Sequence, residues 1–228
     1  MTPQDALAAL EQLGDPEKAV EMAAYHKVAR RYLGVPNATL DAHAMEWRRT
    51  LPLADRLSLA QGLWDTDVFE ARIAAAKLLT QARIRPDDTP AWDMIQSWVP
   101  NFDSWAIADA VCSAGSRRLI ADPTRLDMVE AWTTSDHMWT QRAALVMTLP
   151  WTKQAHAKPA ELEARERVLD WAVSYIENPE WFIQKAIASW LRDLSKRDPE
   201  RVQAFLELHG EKMSKFARTE AQRRLKPA

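Results

Sequence analysis

A tryptophan and an aspartate four residues apart, in the stretch Asn101-Phe-Asp-Ser-Trp105-Ala-Ile-Ala-Asp109, are the pair in this chain best suited to do chemistry. On a helix of 3.6 residues per turn, positions four apart return to within about 40° of each other, so ring and carboxylate share one face. An aromatic face attracts cations and a carboxylate stabilises positive charge, so together they could hold a cation or a positively charged transition state. The alternative is purely structural. Asp109 would then bind a neighbouring arginine or helix N–H groups, and Trp105 would fill a gap between helices.

The chain's own internal pattern singles the pair out. Phe69-Glu-Ala-Arg72-Ile73-Ala74, Trp139-Thr-Gln-Arg142-Ala143-Ala144 and Phe182-Ile-Gln-Lys185-Ala186-Ile187 each start with an aromatic and carry a cation three residues later. Trp105 to Ala110 falls in the same register. There Asp109 corresponds to Ile73, Ala143 and Ala186, and Ala108 to Arg72, Arg142 and Lys185. An unpaired half-buried carboxylate costs several kcal/mol, so an acid in an apolar register needs a partner or a purpose. In a stack of repeats the cations Arg72, Arg142 and Lys185 would project in a row along one surface. Such a row fits phosphates spaced along a duplex, and it equally fits solvated cations paired with nearby acids.

Other chemistries find little support. His26, His43, His137, His156 and His209 have no metal-ligand spacing, no GxSxG turn occurs, and 5 glycines are too few for a phosphate-cradling loop. Cys112, the single cysteine, forms no internal disulfide or zinc pair and reads as buried packing. Most of the 11 tryptophans are expected in the core.

The elements that must position Trp105 and Asp109 are helices. Asp15-Pro16, Asp122-Pro123, Asn178-Pro179 and Asp198-Pro199 each join a capping side chain to a proline suited to a first helical turn. Between these starts lie stretches with helical apolar spacing, such as Val168, Trp171, Ala172 and Tyr175, and no strand alternation is evident. Helices are expected over residues 3–13, 16–33, 38–49, 53–64, 67–82, 89–98, 103–120, 124–132, 136–148, 161–177, 179–196, 199–208 and 211–225. The aromatics Phe69, Trp105, Trp139 and Phe182 recur at helix-pair repeat lengths of the HEAT or armadillo kind, and Trp92, Trp132 and Trp171 recur as if from the other helix of each pair. The expected architecture is all-α: a HEAT-like helical-repeat solenoid, a C-shaped stack of antiparallel helix pairs, forming one domain over residues 1–228.

Composition agrees with a soluble protein that buries a core: 228 residues, 47% hydrophobic and 27% charged. The N-terminus lacks a basic start followed by an apolar run, and no stretch approaches membrane-spanning length, so a cytoplasmic protein is expected. Net charge is −2, yet residues 183–228 carry 11 basic and 6 acidic groups. That asymmetry permits an anion-binding face without a basic pI.

Taken together, Pro16-Glu-Lys-Ala19, Ala24-Tyr25-His-Lys27, Tyr32-Leu33-Gly34-Val35, Ser104-Trp105-Ala-Ile-Ala-Asp109, Trp139-Thr-Gln-Arg142-Ala143-Ala144 and Phe182-Ile-Gln-Lys185-Ala186-Ile187 with Leu191-Arg192-Asp193 resemble the AlkD-like DNA alkylation repair glycosylases. The likeness covers nearly the whole chain in order. It implies tandem HEAT-like repeats that grip duplex DNA and excise cationic N3- and N7-alkylated purines without a metal or other cofactor, acting on a base that stays stacked. It puts the family's Trp-x-x-x-Asp motif on Trp105 and Asp109. Asp109 would be the catalytic carboxylate, stabilising the positive deoxyribose and positioning water, and Trp105 would pack against the sugar. By the same resemblance Arg142 would contact phosphate beside the lesion, with Lys185 and Arg192 lining the DNA channel. The partner is then double-stranded DNA with alkylated bases, with no membrane partner, and a monomer is expected. One position departs from the pattern. The family's second active-site tryptophan falls on Ser189, while Trp190 beside it, a candidate second aromatic wall, is turned about 100° around the helix. A longer connection over residues 151–165 separates the third and fourth repeats. Two other functions fit a helical solenoid: a DNA-binding protein that has lost excision, and a protein-binding scaffold.

Overall fold

The structure is a computed structural model, and it describes residues 1–225. Thirteen α-helices are present among the described residues, joined by short 3-10 turns, with no strand and a single isolated bridge between Arg31 and Val68. The all-α helical-repeat expectation holds. Where the sequence suggests one domain, the helices cluster into two compact units, Met1–Ala121 and Asp122–Ala228. No helix among the described residues is long and apolar enough to cross a membrane.

The first unit holds α1 (Pro3–Gln12), α2 (Pro16–His26), α3 (Asn37–Thr50), α4 (Leu53–Asp65), α5 (Phe69–Leu78), α6 (Thr89–Trp98) and α7 (Trp105–Ala121). Its centre is α5, whose sequence FEARIAAAKL supplies small side chains on almost every face. Ala71, Ala74, Ala75 and Ala76 are fully buried. Such small residues let α3, α4 and α7 all pack against one short helix. Behind it, Trp64 of α4 and Trp98 of α6 stack with ring centroids 4.4 Å apart and 6° between planes, and Trp98 Nε1 donates to Gln61 at 3.2 Å. Burying rings of this size is worth several kcal/mol, which fixes the spacing of the paired helices.

The second unit holds α8 (Leu126–Ala131), α9 (Met138–Met147), α10 (Pro159–Ser174), α11 (Trp181–Leu194), α12 (Pro199–His209) and α13 (Lys215–Gln222). Here α11 is central, packing on α9 at one side and α13 at the other. Phe216 in α13 lies 34 residues beyond Phe182, so the aromatic repeat continues once more than the sequence reading found. The 151–165 connection is ordered by Arg165, whose guanidinium donates to the carbonyls of Trp151 at 2.8 Å and Gln154 at 2.9 Å.

Three capping expectations hold. Asp15 accepts from the amides of Glu17 and Lys18, Asp198 from Arg201, and Asp122 starts a 3-10 turn by accepting from Thr124. Asn178-Pro179 does not start a helix. Asn178 instead accepts from the amide of Glu180 in a turn, and α11 begins at Trp181. A larger correction concerns α2, expected over 16–33, which ends at His26 because Lys27 takes a left-handed conformation with φ 57°. The next ten residues run on without helix, and Val35 near the end of this segment lines the candidate site.

Candidate active site

Ser104, buried at the start of α7, accepts from the amide of Ile107 through its hydroxyl, capping the helix and fixing where its first residue, Trp105, points. One turn later stands Asp109. Both side chains are half-buried, and both line a cavity of about 440 Å³ within the first unit. The repeat comparison gains a structural meaning here. Ile73, Ala143 and Ala186, in the register of Asp109, are apolar and all buried at 8% exposure or less, whereas Asp109 is a half-buried acid, lining the cavity together with Ile73.

The opposite wall comes from the end of α2 and from α5. His26 lies against Phe69 with ring centroids 4.5 Å apart and against Trp105 at 5.2 Å, and it stacks over Tyr32 at 6.3 Å. Tyr25, 70% exposed, meets Trp105 edge-on at 6.1 Å. Burial pushes the His26 imidazole below the usual histidine range, partly offset by the negative charge of Glu70.

What holds this wall in place is Glu70, which is wholly buried. Its carboxylate accepts from the amides of Leu33 at 3.1 and 3.0 Å, Gly34 at 2.7 Å and Val35 at 3.3 Å. Three successive amides converging on one carboxylate fix the segment after α2 and disperse the buried charge. Gly34 is required there. Its φ is +77°, and a Cβ would sit 2.0 Å from the carbonyl oxygen of Asp15.

Beside this cavity, and sharing Lys77 and Ala110 with it, runs a wider groove of about 710 Å³ between α3, α5 and α7. Arg48, Arg49, Lys77 and Arg117 line it, against one acid, Asp41, among its lining residues. Arg48 is anchored by donating to the carbonyl of Lys77 at 2.8 Å, and Lys77 pairs with Asp41 at 2.5 Å. Arg117 is exposed, and Arg49 pairs with the surface acid Glu46. Basic side chains outnumber acids among the residues that line the groove.

The remaining sequence-predicted residues belong to the second unit. Arg142 is buried, its guanidinium 5.7 Å from the Trp139 ring and 6.0 Å from Phe182. Arg72, its counterpart in the first unit, lies 4.5 Å over Trp64 and pairs with Asp67 at 2.7 Å. The expected row of projecting cations is therefore corrected: two of the three repeat cations lie against rings, and only Lys185 is exposed. Arg192 pairs with Glu220 at 2.8 Å. Trp190 is wholly buried and donates to the Thr148 hydroxyl at 3.2 Å, so it offers no wall to a ligand. Ser189 beside it is half-buried. Cys112 is buried, as expected.

Sequence reasoning missed Tyr25, His26, Glu70 and the groove cations. Glu70 left a signal, an acid amid the apolar residues of α5, in the same way that Asp109 did.

A family model described as DNA alkylation repair enzyme matches residues 6–225. No curated protein matches the chain. Among solved structures, a predicted DNA alkylation repair enzyme from Enterococcus faecalis superposes with a TM-score of 0.79 at 22% identity, covering 94% of this chain and 98% of that one. The smu.31 protein of Streptococcus mutans UA159 gives 0.61 at 19% identity over 83% and 91% of the two chains. AlkD2 from Streptococcus mutans gives 0.60 at 19% over 82% and 87%. These likenesses carry the fold, and the match over nearly the whole sequence carries the family: the chain belongs to the DNA alkylation repair enzymes.

Proposed function

We propose that this protein is a DNA glycosylase that hydrolyses the N-glycosidic bond of cationic N3- or N7-alkylated purines in duplex DNA. The observation that carries the reading is Asp109, an acid in a register that is elsewhere buried and apolar, facing with Trp105 into a cavity beside a basic groove. The alkylated purine already bears a positive charge and departs as a neutral base, taking the electron pair of the C1′–N bond. No general acid is needed for that departure. Positive charge passes to the sugar, where the Asp109 carboxylate stabilises it and orients water for attack at C1′, while the Trp105 face shares the charge. The reaction asks for no metal or other cofactor, and no base flipping.

Phosphates of the bound duplex suit the groove lined by Arg48, Arg49, Lys77 and Arg117. In the second unit Lys185 is the cation best exposed for such a contact. Arg142 and Arg192 hold their proposed DNA contacts by family resemblance, each through a side chain already engaged with rings or with Glu220.

The test is release of N7-methylguanine from a duplex under single turnover. Wild type releases base, and Asp109→Asn loses on the order of 10²–10³ in rate, the usual effect of removing one transition-state charge stabiliser. No release by wild type, or equal release by Asp109→Asn, overturns the assignment. A second reading, a duplex-binding protein without excision, is favoured by Ser189 at the position of the family's second tryptophan. It predicts salt-sensitive binding with no base released.

A further inference from the structure

Resting on the glycosylase reading, we propose that His26 is a positioning residue for Trp105 that supports base excision only as the neutral imidazole, making its protonation an off-switch for the Trp105/Asp109 site. The geometry is specific. The imidazole is the shared neighbour of four rings, Tyr25 at 5.0 Å, Phe69 at 4.5 Å, Trp105 at 5.2 Å and Tyr32 at 6.3 Å, and it lines the cavity that Asp109 lines. Its Nδ1 is buried with no hydrogen-bond partner among the described residues. No hydrogen bond to that nitrogen fixes the ring, so packing against Phe69 and Trp105 does.

Charged groups approach from each element around it. Glu70 comes from α5, its carboxylate already engaged by the amides of Leu33, Gly34 and Val35. Asp109 comes from α7, and Lys77 reaches the same cavity while paired to Asp41. On the segment after α2, Arg30 is paired with Asp67 and Asp103 near Tyr32. The two carboxylates would accommodate an imidazolium, but in doing so Asp109 would be drawn to His26. A proton on His26 also sets a fixed positive charge against the ring that is to face a cationic sugar. Repulsion between like charges in a partly buried cavity costs roughly tenfold or more in rate. Burial of the imidazole keeps that proton off at neutral pH.

The experiment combines a pH–rate profile with NMR. Single-turnover release of N7-methylguanine is followed from about pH 8 to about pH 4.5, spanning the histidine and carboxylate ranges, for wild type, His26→Phe and His26→Asn. In parallel, the His26 ring resonances and the Trp105 indole N–H are followed in wild type without DNA. The acid limb of the wild-type profile should set in with the His26 titration, which should also move the Trp105 indole signal. His26→Phe keeps a ring against Trp105 and should lack the part of the acid limb that tracks His26. Identical acid limbs in wild type and both variants, or a Trp105 indole signal indifferent to the His26 titration, overturn the proposal. If wild type releases no base at any pH, the glycosylase reading fails. The NMR arm then decides the positioning role alone, through coupling or its lack between His26 and Trp105.

Discussion

The Gly34 amide donates to Glu70 Oε1 at 2.7 Å, the shortest of the bonds that tie the segment after α2 to α5. Glu70 adjoins Phe69, whose ring lies under His26, so one residue of α5 supports the imidazole and the next holds the backbone beyond it. Replacement by glutamine keeps the volume but removes the charge and turns one amide N–H₂ toward amides that also donate. Hydrogen bonds to a charged group contribute about 1.5–3 kcal/mol, so Glu70→Gln is expected to lower unfolding stability by ~2–3 kcal/mol in urea titrations. Glu46→Gln, which disturbs only the exposed pair with Arg49, should change it by less than about 0.5 kcal/mol. Equal effects of the two would mean that the buried carboxylate does not organise the wall.

That relationship also explains what could and could not be read from the chain. Thirteen helices were expected and most start within two residues of their expected positions, because proline, capping acids and apolar spacing act locally. Asp109 stood out because three other repeats define what its register normally holds. The end of α2 did not stand out. Val28-Ala-Arg-Arg31 has good helical propensity, and the break at Lys27 goes with amides held by Glu70 some 37 residues away. The burial of Arg142 is not legible in the chain for a related reason. Its periodicity was visible, but the rings of Trp139 and Phe182 beside it come from two helices, and their closeness is set by the packing of α9 on α11.

Trp190 gives a direct check on its place in the core. It has no exposed surface and its indole N–H is satisfied by Thr148. Trp190→Ala should cost about 3–5 kcal/mol, the range for emptying a buried aromatic site, and Trp190→Phe roughly 1–2 kcal/mol through lost contacts and the lost bond that the Thr148 hydroxyl accepts, while that hydroxyl goes on donating to Leu145. The measurement is chemical denaturation. A Trp190→Phe variant as stable as wild type would contradict the packing described for α11.

His26 also links site and stability through pH. Its pKa in the folded protein is depressed by burial, while in the unfolded chain it titrates near the ordinary histidine value of about 6.5. Below that value the unfolded state binds the proton first, so stability falls as pH drops from about 6.5 and the loss is complete once the folded-state pKa is passed. Thermal melting across this window should fall more for wild type than for His26→Phe, because only wild type has this group to protonate. Parallel curves would show that the His26 environment does not favour the neutral form.

The basic groove and the acid of the cavity can be separated by salt. Each phosphate neutralised by a lysine or arginine adds about 0.9 to the slope of log affinity against log salt on B-form DNA. Arg49 and Arg117 line the groove on the protein surface, so their replacement should leave the fold intact. Arg49→Ala and Arg117→Ala are each expected to lower the slope by up to about 0.9, in fluorescence anisotropy with an undamaged duplex, and Lys185→Ala likewise in the second unit. Arg72→Ala should not change the slope, since its guanidinium lies over Trp64 and pairs with Asp67, but should lower stability. Asp109→Asn removes a negative charge near the groove and should bind at least as tightly as wild type. A variant that binds undiminished yet releases no base separates excision from binding at Asp109, whereas loss of binding with Asp109→Asn would make that carboxylate a structural support for the groove.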